Sequence, residues 1–271
     1  MQLAAEHYNA GDAFQREKLA LFASNWLPIG AVAQLAGAGD FVAASIGGWP
    51  LLAVRGDDGE LRAFHNSCRH KKMLVVEQAG GHCASLRCRY HGWTYRLDGH
   101  FLQAPPPVAP KEPSSPDNHL MAAGSECSRG IVFVHLDANA APGDFSALPS
   151  LPERHQHVVS LSTDIDCNWK TLLEHALADR TRAWQWPLVL ARSDTDALVI
   201  EQITPRTFLR TRLTSHVFAR NDTMLVKAGE HADTLRAACE TLQQARNAGR
   251  LAETSDARIA ELHRRVLAAY A

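Results

Sequence analysis

Residues 66–93 read NSCRHKKMLVVEQAGGHCASLRCRYHGW, and this stretch decides the fold of the chain around it. It contains Cys68 and His70, then seventeen intervening residues, then Cys88 and His91. Each half supplies one thiolate and one imidazole, which are ligands that iron and zinc accept in proteins. The spacing C-x-H-x17-C-x2-H therefore predicts a metal centre held between two loops.

The distribution of ligand types between the halves indicates which metal centre this is. A tetrahedral zinc ion also accepts two Cys and two His, but zinc fingers usually place two Cys in one half and two His in the other. Here each half carries both kinds, which suits a [2Fe–2S] cluster of the Rieske type, with two Cys on one iron and two His on the other. Cys68, His70, Cys88 and His91 are the predicted cluster ligands, and zinc is the alternative.

Short apolar segments separated by turn residues surround these loops and predict a small antiparallel β domain. Six prolines between residues 104 and 117 rule out regular structure there, and residues 130–136 predict a buried strand. The other predicted strands of this region are 41–46, 49–55, 61–65, 74–78, 85–88 and 93–97.

The rest of the chain has mixed periodicity. Residues 8–26 predict an N-terminal helix that Gly11 and Asp12 can cap, and a helical spacing of apolar residues begins after Asn168. The later segments predict a short meander followed by two helices, with strands at 197–203, 207–214, 216–219 and 223–227 and helices at 232–248 and 254–270.

Composition excludes several classes of protein. With 28 basic and 29 acidic residues the formal charge is −1, which gives no indication of a nucleic-acid or anionic membrane partner. The sequence shows neither a membrane span nor a secretory signal, and six Cys in 271 residues are too few for a disulfide scaffold. We expect a cytoplasmic protein.

Beyond the cluster motif, the chain resembles the large (α) subunit of Rieske non-haem iron oxygenases, the ring-hydroxylating and demethylating group. Met73 and Tyr90 stand where Rieske proteins of respiratory chains carry a further Cys pair, which agrees with the oxygenase type. Lys71-Lys72 replaces the Arg-Gly that commonly follows the first cluster His. The resemblance is carried by LFASNWLPIG (21–30), residues 39–70, RCRYHGWTYRLDGHF (87–101), GIVFVHLDANAAP (130–142) and DCNWKTLLEHALAD (166–179).

This resemblance implies an α+β fold. The Rieske domain would be small and antiparallel, and the catalytic-like domain would be a reduced helix-grip arrangement, with an antiparallel sheet around a C-terminal helix. The implied boundaries are an N-terminal helical segment at 1–38, the Rieske domain at 39–118 and the shortened catalytic-like domain at 119–271.

The family also needs a mononuclear iron(II), held by two His and one carboxylate, and an Asp that bridges this iron to a neighbouring subunit's Rieske centre. Asn168-Trp169-Lys170 and Glu174 fix the register of the motif here. The bridging Asp position is then Ala178, and the two His positions are Thr181 and Trp186. Neither side chain can replace an imidazole, so mononuclear iron is doubtful in this chain.

Other residues could still build an iron site. His175 and Asp179 are four residues apart on one helical face, and Glu240 is a weak match to the carboxylate position. A lone helical His or an exposed Glu is more often a packing or solvated residue, so this set is the weaker interpretation.

Three functions remain open. The first is a Rieske subunit that relays electrons from a ferredoxin or reductase to the mononuclear iron of a catalytic α-type partner, in a trimer-like hetero-oligomer. The second is a complete oxygenase with atypical ligands, and the third is a stand-alone Rieske electron carrier. The basic residues near the cluster are either a solvated rim or a docking patch for an acidic redox partner: Arg69, Lys71, Lys72, Arg87 and Arg89.

Overall fold

The computed structural model describes residues 2–193, 196–220, 225–251 and 255–270. The chain forms two compact units. One, the inserted unit, is Ile29–Gly143. The other, the split unit, combines Met1–Pro28 with Asp144–Ala271. No helix in the described part of the chain is long and apolar enough to cross a bilayer.

The inserted unit contains a seven-stranded sheet and a three-stranded sheet, ordered β1-β10-β9-β4-β3-β2-β5 and β6-β7-β8. Its strands are β1 (Leu27–Ala31, which begins before the unit boundary), β2 (Asp40–Ile46), β3 (Trp49–Arg55), β4 (Leu61–His65), β5 (Gly80–His82), β6 (Leu86–Arg87), β7 (Thr94–Tyr95), β8 (Phe101–Gln103), β9 (Ala122–Ser128) and β10 (Ile131–His135).

One buried apolar cluster joins the two sheets and thereby positions the two loops that contain the predicted ligands. Leu52 and Phe64 of the large sheet pack in one buried cluster with Tyr95 of the small sheet and with Trp93, which directly precedes β7. The turn between β7 and β8 contains Gly99 at φ +86°, where a Cβ atom would lie 2.4 Å from the Phe64 ring. Glycine is therefore required there both for the backbone conformation and for the close approach.

Two predictions for this region differ from the structure. Residues 74–78 are not a strand, because this segment runs as irregular chain that completes the first cluster loop. The implied domain end at residue 118 falls before β9 and β10, yet β9 pairs with both β4 and β10, so that these strands complete the large sheet of the inserted unit.

The described part of the split unit contains a five-stranded sheet, ordered β11-β15-β14-β13-β12, and five α-helices. Helix α4 packs against α1, α3 and strands β11 and β15, which confirms the predicted sheet around a C-terminal helix. The elements are α1 (Glu6–Asn9), α2 (Gly11–Arg16), β11 (Gln156–Ile165), α3 (Trp169–Leu177), β12 (Ala183–Gln185), β13 (Val189–Ser193), β14 (Ala197–Thr207), β15 (Arg210–Ala219), α4 (Leu225–Asn247) and α5 (Ala257–Ala268).

Several predicted boundaries in this unit change. The helix predicted at 8–26 is interrupted at Ala10, which is extended, and continues after Arg16 as a π-helical turn and a 3₁₀ turn. The strands predicted at 207–214 and 216–219 are one strand, β15. The strand predicted at 223–227 is wrong for residues 225–227, which start α4, because a short apolar run does not distinguish strand from helix. Residues 221–224 and 254 lie outside the described residues.

Candidate metal centre

The first cluster loop begins directly after β4. The Cys68 backbone N–H donates to the carbonyl of Met73 at 2.7 Å, and the Lys72 N–H donates to the carbonyl of Cys68 at 2.9 Å. Asn66 is buried and closes the loop, since its side-chain oxygen accepts from the N–H groups of Val75 and Val76 at 3.0 Å each. The loop is thus fixed by the chain itself.

The second cluster loop repeats this backbone arrangement. The Cys88 N–H donates to the carbonyl of Trp93 at 2.9 Å, and the Gly92 N–H donates to the carbonyl of Cys88 at 3.0 Å. In both loops the residue four positions after the Cys has a left-handed backbone, with φ +60° at Lys72 and +73° at Gly92. The two loops therefore present their ligands in the same way.

The four predicted ligands form two pairs. Cys68 and Cys88 are almost fully buried at 1% and 2% exposure and form no disulfide, and burial, followed by the neighbouring Cys68 thiol, raises the pKa of Cys88. His70 and His91 are partly exposed, and their Nδ1 atoms lie 3.1 Å apart. Burial and the adjacent His91 and Lys71 lower the pKa of His70, which favours the neutral imidazole that a metal needs.

Two neighbouring aromatic residues contact the predicted ligands and orient them. The Tyr95 hydroxyl is fully buried, lies 3.1 Å from the Cys68 sulfur and accepts the Arg69 N–H at 3.0 Å. Desolvation, and secondarily the contact with Cys68, raise the pKa of Tyr95, so that the phenol stays protonated and can donate to a thiolate. Trp93 stacks on the His70 ring at 5.2 Å with an interplanar angle of 3°.

The donor set fits a Rieske cluster better than zinc. In the described residues no three His, Cys, Asp or Glu side chains converge on one ion position, as a four-ligand zinc site requires. The pairing of sulfur with sulfur and nitrogen with nitrogen matches two irons with two protein ligands each. The 3.1 Å between the two Nδ1 atoms is close to the roughly 3.4 Å expected for two nitrogens about 2.1 Å from one tetrahedral metal.

The surface around the histidine edge is both apolar and basic. Met73, Leu74 and Tyr90 are exposed at 48%, 42% and 60%, which is unusual for large apolar side chains so close together in sequence and loop position. Lys71 and Lys72 are exposed beside them. Of the other basic residues, Arg69 donates to the Asp117 carbonyl, Arg89 pairs with Glu77 at 3.5 Å, and Arg87 is exposed.

In the split unit, the residues that the resemblance places at the family's bridging Asp and at its two iron-binding His make other contacts. Ala178 ends helix α3. The backbone N–H and hydroxyl of Thr181 both donate to the Asp179 carboxylate, at 3.0 and 2.7 Å. The Trp186 indole N–H donates to the Asn25 side chain at 2.9 Å. None of these side chains offers a lone pair suited to iron.

The substitute ligand set is only partly brought together. His175 and Asp179 both lie near Arg182: its charge contributes, after burial, to lowering the pKa of His175, and its Nε is 3.5 Å from Asp179. Glu240 instead accepts the Asp166 N–H at 3.3 Å and lines a surface cleft of about 530 Å³ with Arg210 and Gln243. The structure does not unite the three residues at one point.

A buried charge cluster near Arg182 was not predicted. Arg182 is 4% exposed and donates to the Glu201 carboxylate, which is fully buried, and to Nε2 of His231. Glu201 lies in β14, within the apolar run ALVIEQI, and a single charge in such a run is the sequence signal that could have revealed it. Arg182 and His231 come from other segments, so the sequence offers no local signal for their partnership.

Comparison with known proteins agrees with the cluster geometry. The family model described as Rieske [2Fe-2S] domain matches residues 25–116. The carnitine monooxygenase oxygenase subunit of Escherichia coli (strain K12) is 30% identical over 184 residues, covering 65% of this chain and 49% of that protein. The glycine betaine monooxygenase oxygenase subunit of Chromohalobacter salexigens is 41% identical over 180 residues, covering 62% and 39%. The chain therefore spans about half the length of the curated relatives it matches, or less.

Solved structures extend the similarity to nearly the whole fold. The apo form of the quaternary ammonium Rieske monooxygenase CntA matches with a TM-score of 0.82 at 18% identity, over 99% of this chain and 94% of that one. Naphthalene 1,2-dioxygenase with bound indole matches with a TM-score of 0.67 at 17% identity, over 95% and 82%. The chain is thus similar in sequence to the oxygenase subunits of Rieske oxygenases, and residues 25–116 carry a Rieske [2Fe–2S] domain.

Proposed function

We propose that this chain is the Rieske [2Fe–2S] subunit of an oxygenase system, which relays electrons from a ferredoxin or reductase to the mononuclear iron of a partner subunit. The observation that carries the proposal is an asymmetry within one chain. Cys68, His70, Cys88 and His91 form one sulfur pair and one nitrogen pair, whereas Thr181 and Trp186 stand where the motif register of the resemblance predicts the family's iron-binding His.

The residues around the predicted cluster suit electron relay. When bound, a Rieske cluster accepts one electron and passes it on. The buried Cys68 and Cys88 keep water from one side, while His70 and His91 lie at the partly exposed edge, which is the side from which an electron can leave over a short distance. Tyr95 places its hydroxyl against Cys68, where it stabilises added negative charge.

The exposed surface at this edge supports a redox partner. Met73, Leu74 and Tyr90 give apolar area, and Lys71 and Lys72 add positive charge that would attract an acidic ferredoxin or reductase. Reduction should then be faster at low ionic strength, because added salt screens exposed charges. Lys71→Glu with Lys72→Glu should slow reduction and remove most of this salt dependence, and salt-independent reduction of the wild-type chain would contradict the docking role.

The decisive experiment separates electron donation from catalysis. The purified chain should contain about two irons and two acid-labile sulfides. It is reduced and mixed with a catalytic oxygenase subunit whose own Rieske centre has been disabled, and product is measured in a single turnover. We expect turnover with the wild-type chain and none with Cys88→Ser, whereas Cys83→Ser, which alters a half-buried Cys outside the pairs, should retain it.

A complete oxygenase is the second candidate, because the relatives that match are named oxygenase subunits. It predicts a third, stoichiometric iron and turnover by this chain alone. It also predicts that His175→Ala abolishes turnover while the Rieske spectrum persists. A stand-alone carrier would differ from both, since its native mass would not change when a catalytic α chain is co-expressed.

The names of the relatives suggest which substrates to test first. Carnitine and glycine betaine, taken from the names of two relatives, are both quaternary ammonium compounds, and we propose this class for the oxygenase system as a whole. Another relative, 30% identical over 187 residues, is biphenyl 2,3-dioxygenase subunit alpha of Rhodococcus jostii (strain RHA1), so biphenyl is the natural comparison substrate. Product from biphenyl but not from either ammonium compound would overturn this assignment.

A further inference from the structure

Four aromatic side chains line a second surface cleft of the split unit, which we call the tryptophan cleft. It has a volume of about 360 Å³, and its rings are those of Trp26, Phe145, Trp184 and Trp186. The Trp184 and Trp186 rings lie 5.8 Å apart at 73°. The Trp26 and Phe145 rings lie 6.3 Å apart at 75°. Two pairs of rings set at steep angles along one cleft resemble the aromatic cages in which proteins bind quaternary ammonium groups.

An arginine at the rim of this cleft shows that its rings attract positive charge. The Arg265 Cζ atom lies 5.2 Å from the centre of the Trp186 ring and 5.9 Å from that of the Trp184 ring, within the roughly 6 Å over which a cation interacts with an aromatic face. The Arg265 side chain is 44% exposed and donates from Nε to Glu261 at 2.6 Å. Its two terminal amino groups make no hydrogen bond to a described residue, so they can receive a carboxylate from solution.

The same cleft also carries negative groups. Asp144 lines it and is exposed, and hydrogen bonds from the hydroxyl and the backbone N–H of Ser146 lower the pKa of Asp144, which keeps this carboxylate ionised. Gln185 lines the cleft as well and is only 9% exposed, and its Oε1 has no hydrogen-bond donor among the described residues. A carbonyl oxygen without a donor retains its negative dipole, so the wall of the cleft has negative potential. The cleft therefore offers aromatic faces and negative charge to a cation, and a guanidinium to an anion.

We propose that the tryptophan cleft binds a small zwitterion of the betaine type, which has one quaternary ammonium group and one carboxylate. The methylated cation lies against the rings, with Asp144 as the nearby negative charge, and the carboxylate pairs with the terminal amino groups of Arg265. The site goes beyond electron relay. It rests on the proposed function only for its biological meaning, because the same class of compound is proposed above as the substrate of the whole oxygenase system.

The test compares three ligands of similar size on the full chain with its cluster assembled, by isothermal titration calorimetry. Glycine betaine carries both charges. The compound 3,3-dimethylbutanoate has the same shape and the same carboxylate but no positive charge, and choline has the cation without a carboxylate. We expect glycine betaine to bind about tenfold more tightly than either analogue, because each analogue lacks one of the two charged contacts.

Three variants locate the binding in the tryptophan cleft. Arg265→Gln should weaken glycine betaine about tenfold, to the level of choline, and should not weaken choline. Arg264→Gln is the matched control, because Arg264 also pairs with Glu261 but does not line the cleft, and it should bind all three ligands as the wild type does. Trp186→Leu removes an aromatic face, so it should weaken glycine betaine and choline alike and 3,3-dimethylbutanoate least.

Each outcome decides the proposal. If the wild-type chain does not bind glycine betaine, or binds one of the analogues as tightly, the proposal is wrong. Equal weakening in Arg264→Gln and Arg265→Gln would also overturn it, because the effect would then come from surface charge in general. If Trp186→Leu does not fold, the ligand series and the two arginine variants still decide. Binding is measured without reductant or partner subunit, so the site can fail while the electron relay stands, and the reverse.

Discussion

In the cluster loops, thiols and imidazoles face each other without a cation from the chain, whereas in the interior of the split unit the buried carboxylates are already paired. Glu17 pairs with Lys170, Glu174 with Arg246, and Glu201 with Arg182. Both regions contain residue types that bind metals. This difference indicates that such residues form a metal site only where the fold leaves their charge or their lone pairs uncompensated.

The source of the compensating charge also explains why the two regions need different supporting contacts. A cluster supplies its own charge to two neutral imidazoles and two thiolates, so the loops need only aromatic and backbone support, as from Trp93 and Tyr95. An ion pair between protein side chains must offset the loss of water around both partners, and it does so only with additional hydrogen bonds. Glu17 accordingly also accepts bonds from Trp169 and Tyr270 at 2.7 Å each.

The largest effect should come from breaking the cluster pairs. Cys88→Ser leaves one iron with a single thiolate, and we expect loss of the cluster and of essentially all electron relay. Iron and sulfide content and the visible spectrum measure this directly. Cys83→Ser is the matched control, and a Cys88→Ser protein with a normal Rieske spectrum would show that the ligand set is wrong.

Breaking one buried ion pair in the split unit should strongly lower the free energy of unfolding but should leave the cluster intact. Lys170→Met leaves the fully buried Glu17 without its cation, and we expect a loss of about 3–5 kcal/mol in unfolding free energy. Thermal unfolding followed by circular dichroism measures the change, and the visible spectrum reports on the cluster. Adding Glu17→Gln should recover part of the loss, and no recovery would argue against an uncompensated charge.

The two regions also differed in how far the sequence could predict them. The cluster ligands lie within 24 consecutive residues, 68–91, so their spacing alone identified them. Arg182, Glu201 and His231 come from a loop, a strand and a helix, and only tertiary packing brings them together. Strand β11 was missed for a related reason, because its mixed polar sequence shows no clear alternation and it pairs with β15 over long sequence separation.

A third prediction concerns acid stability in the split unit. His216 is fully buried between Ser160 and Gln202, and burial, followed by the charge of the nearby His157, lowers the pKa of His216 to about 3. The unfolded chain binds this proton near pH 6.5 and the folded one does not, so stability falls as pH drops from about 6.5 towards 3, by at most about 1.4 kcal/mol per pH unit. His216→Gln should flatten this decline in melting temperature measured from pH 7 to 5, and parallel profiles would contradict the assignment.

A smaller effect is expected for the aromatic support of the cluster. Tyr95→Phe removes a hydroxyl next to the Cys68 sulfur, and a donor there stabilises the reduced, more negative cluster more than the oxidised one. We expect the reduction potential to fall by about 40–60 mV, which corresponds to roughly 1–1.4 kcal/mol for one electron. Tyr90→Phe alters an exposed hydroxyl and should leave the potential unchanged. Equal potentials for Tyr95→Phe and wild type would show that this contact does not tune the cluster.

The smallest effect is expected from the backbone conformation of the two cluster loops. Lys72 and Gly92 occupy equivalent left-handed positions, but only Gly adopts this backbone without a steric penalty. Lys72→Gly should therefore stabilise the first loop by up to about 1 kcal/mol, minus the cost of the greater conformational freedom that glycine gives the unfolded chain. The visible absorption of the cluster should then be lost at a higher temperature. Gly92→Ala should act in the opposite direction, because its Cβ would also lie 3.3 Å from Pro105. If Lys72→Gly instead bleaches earlier, the lysine side chain stabilises the loop by more than its backbone strain costs, and the two loops are not equivalent in energy despite their shared geometry.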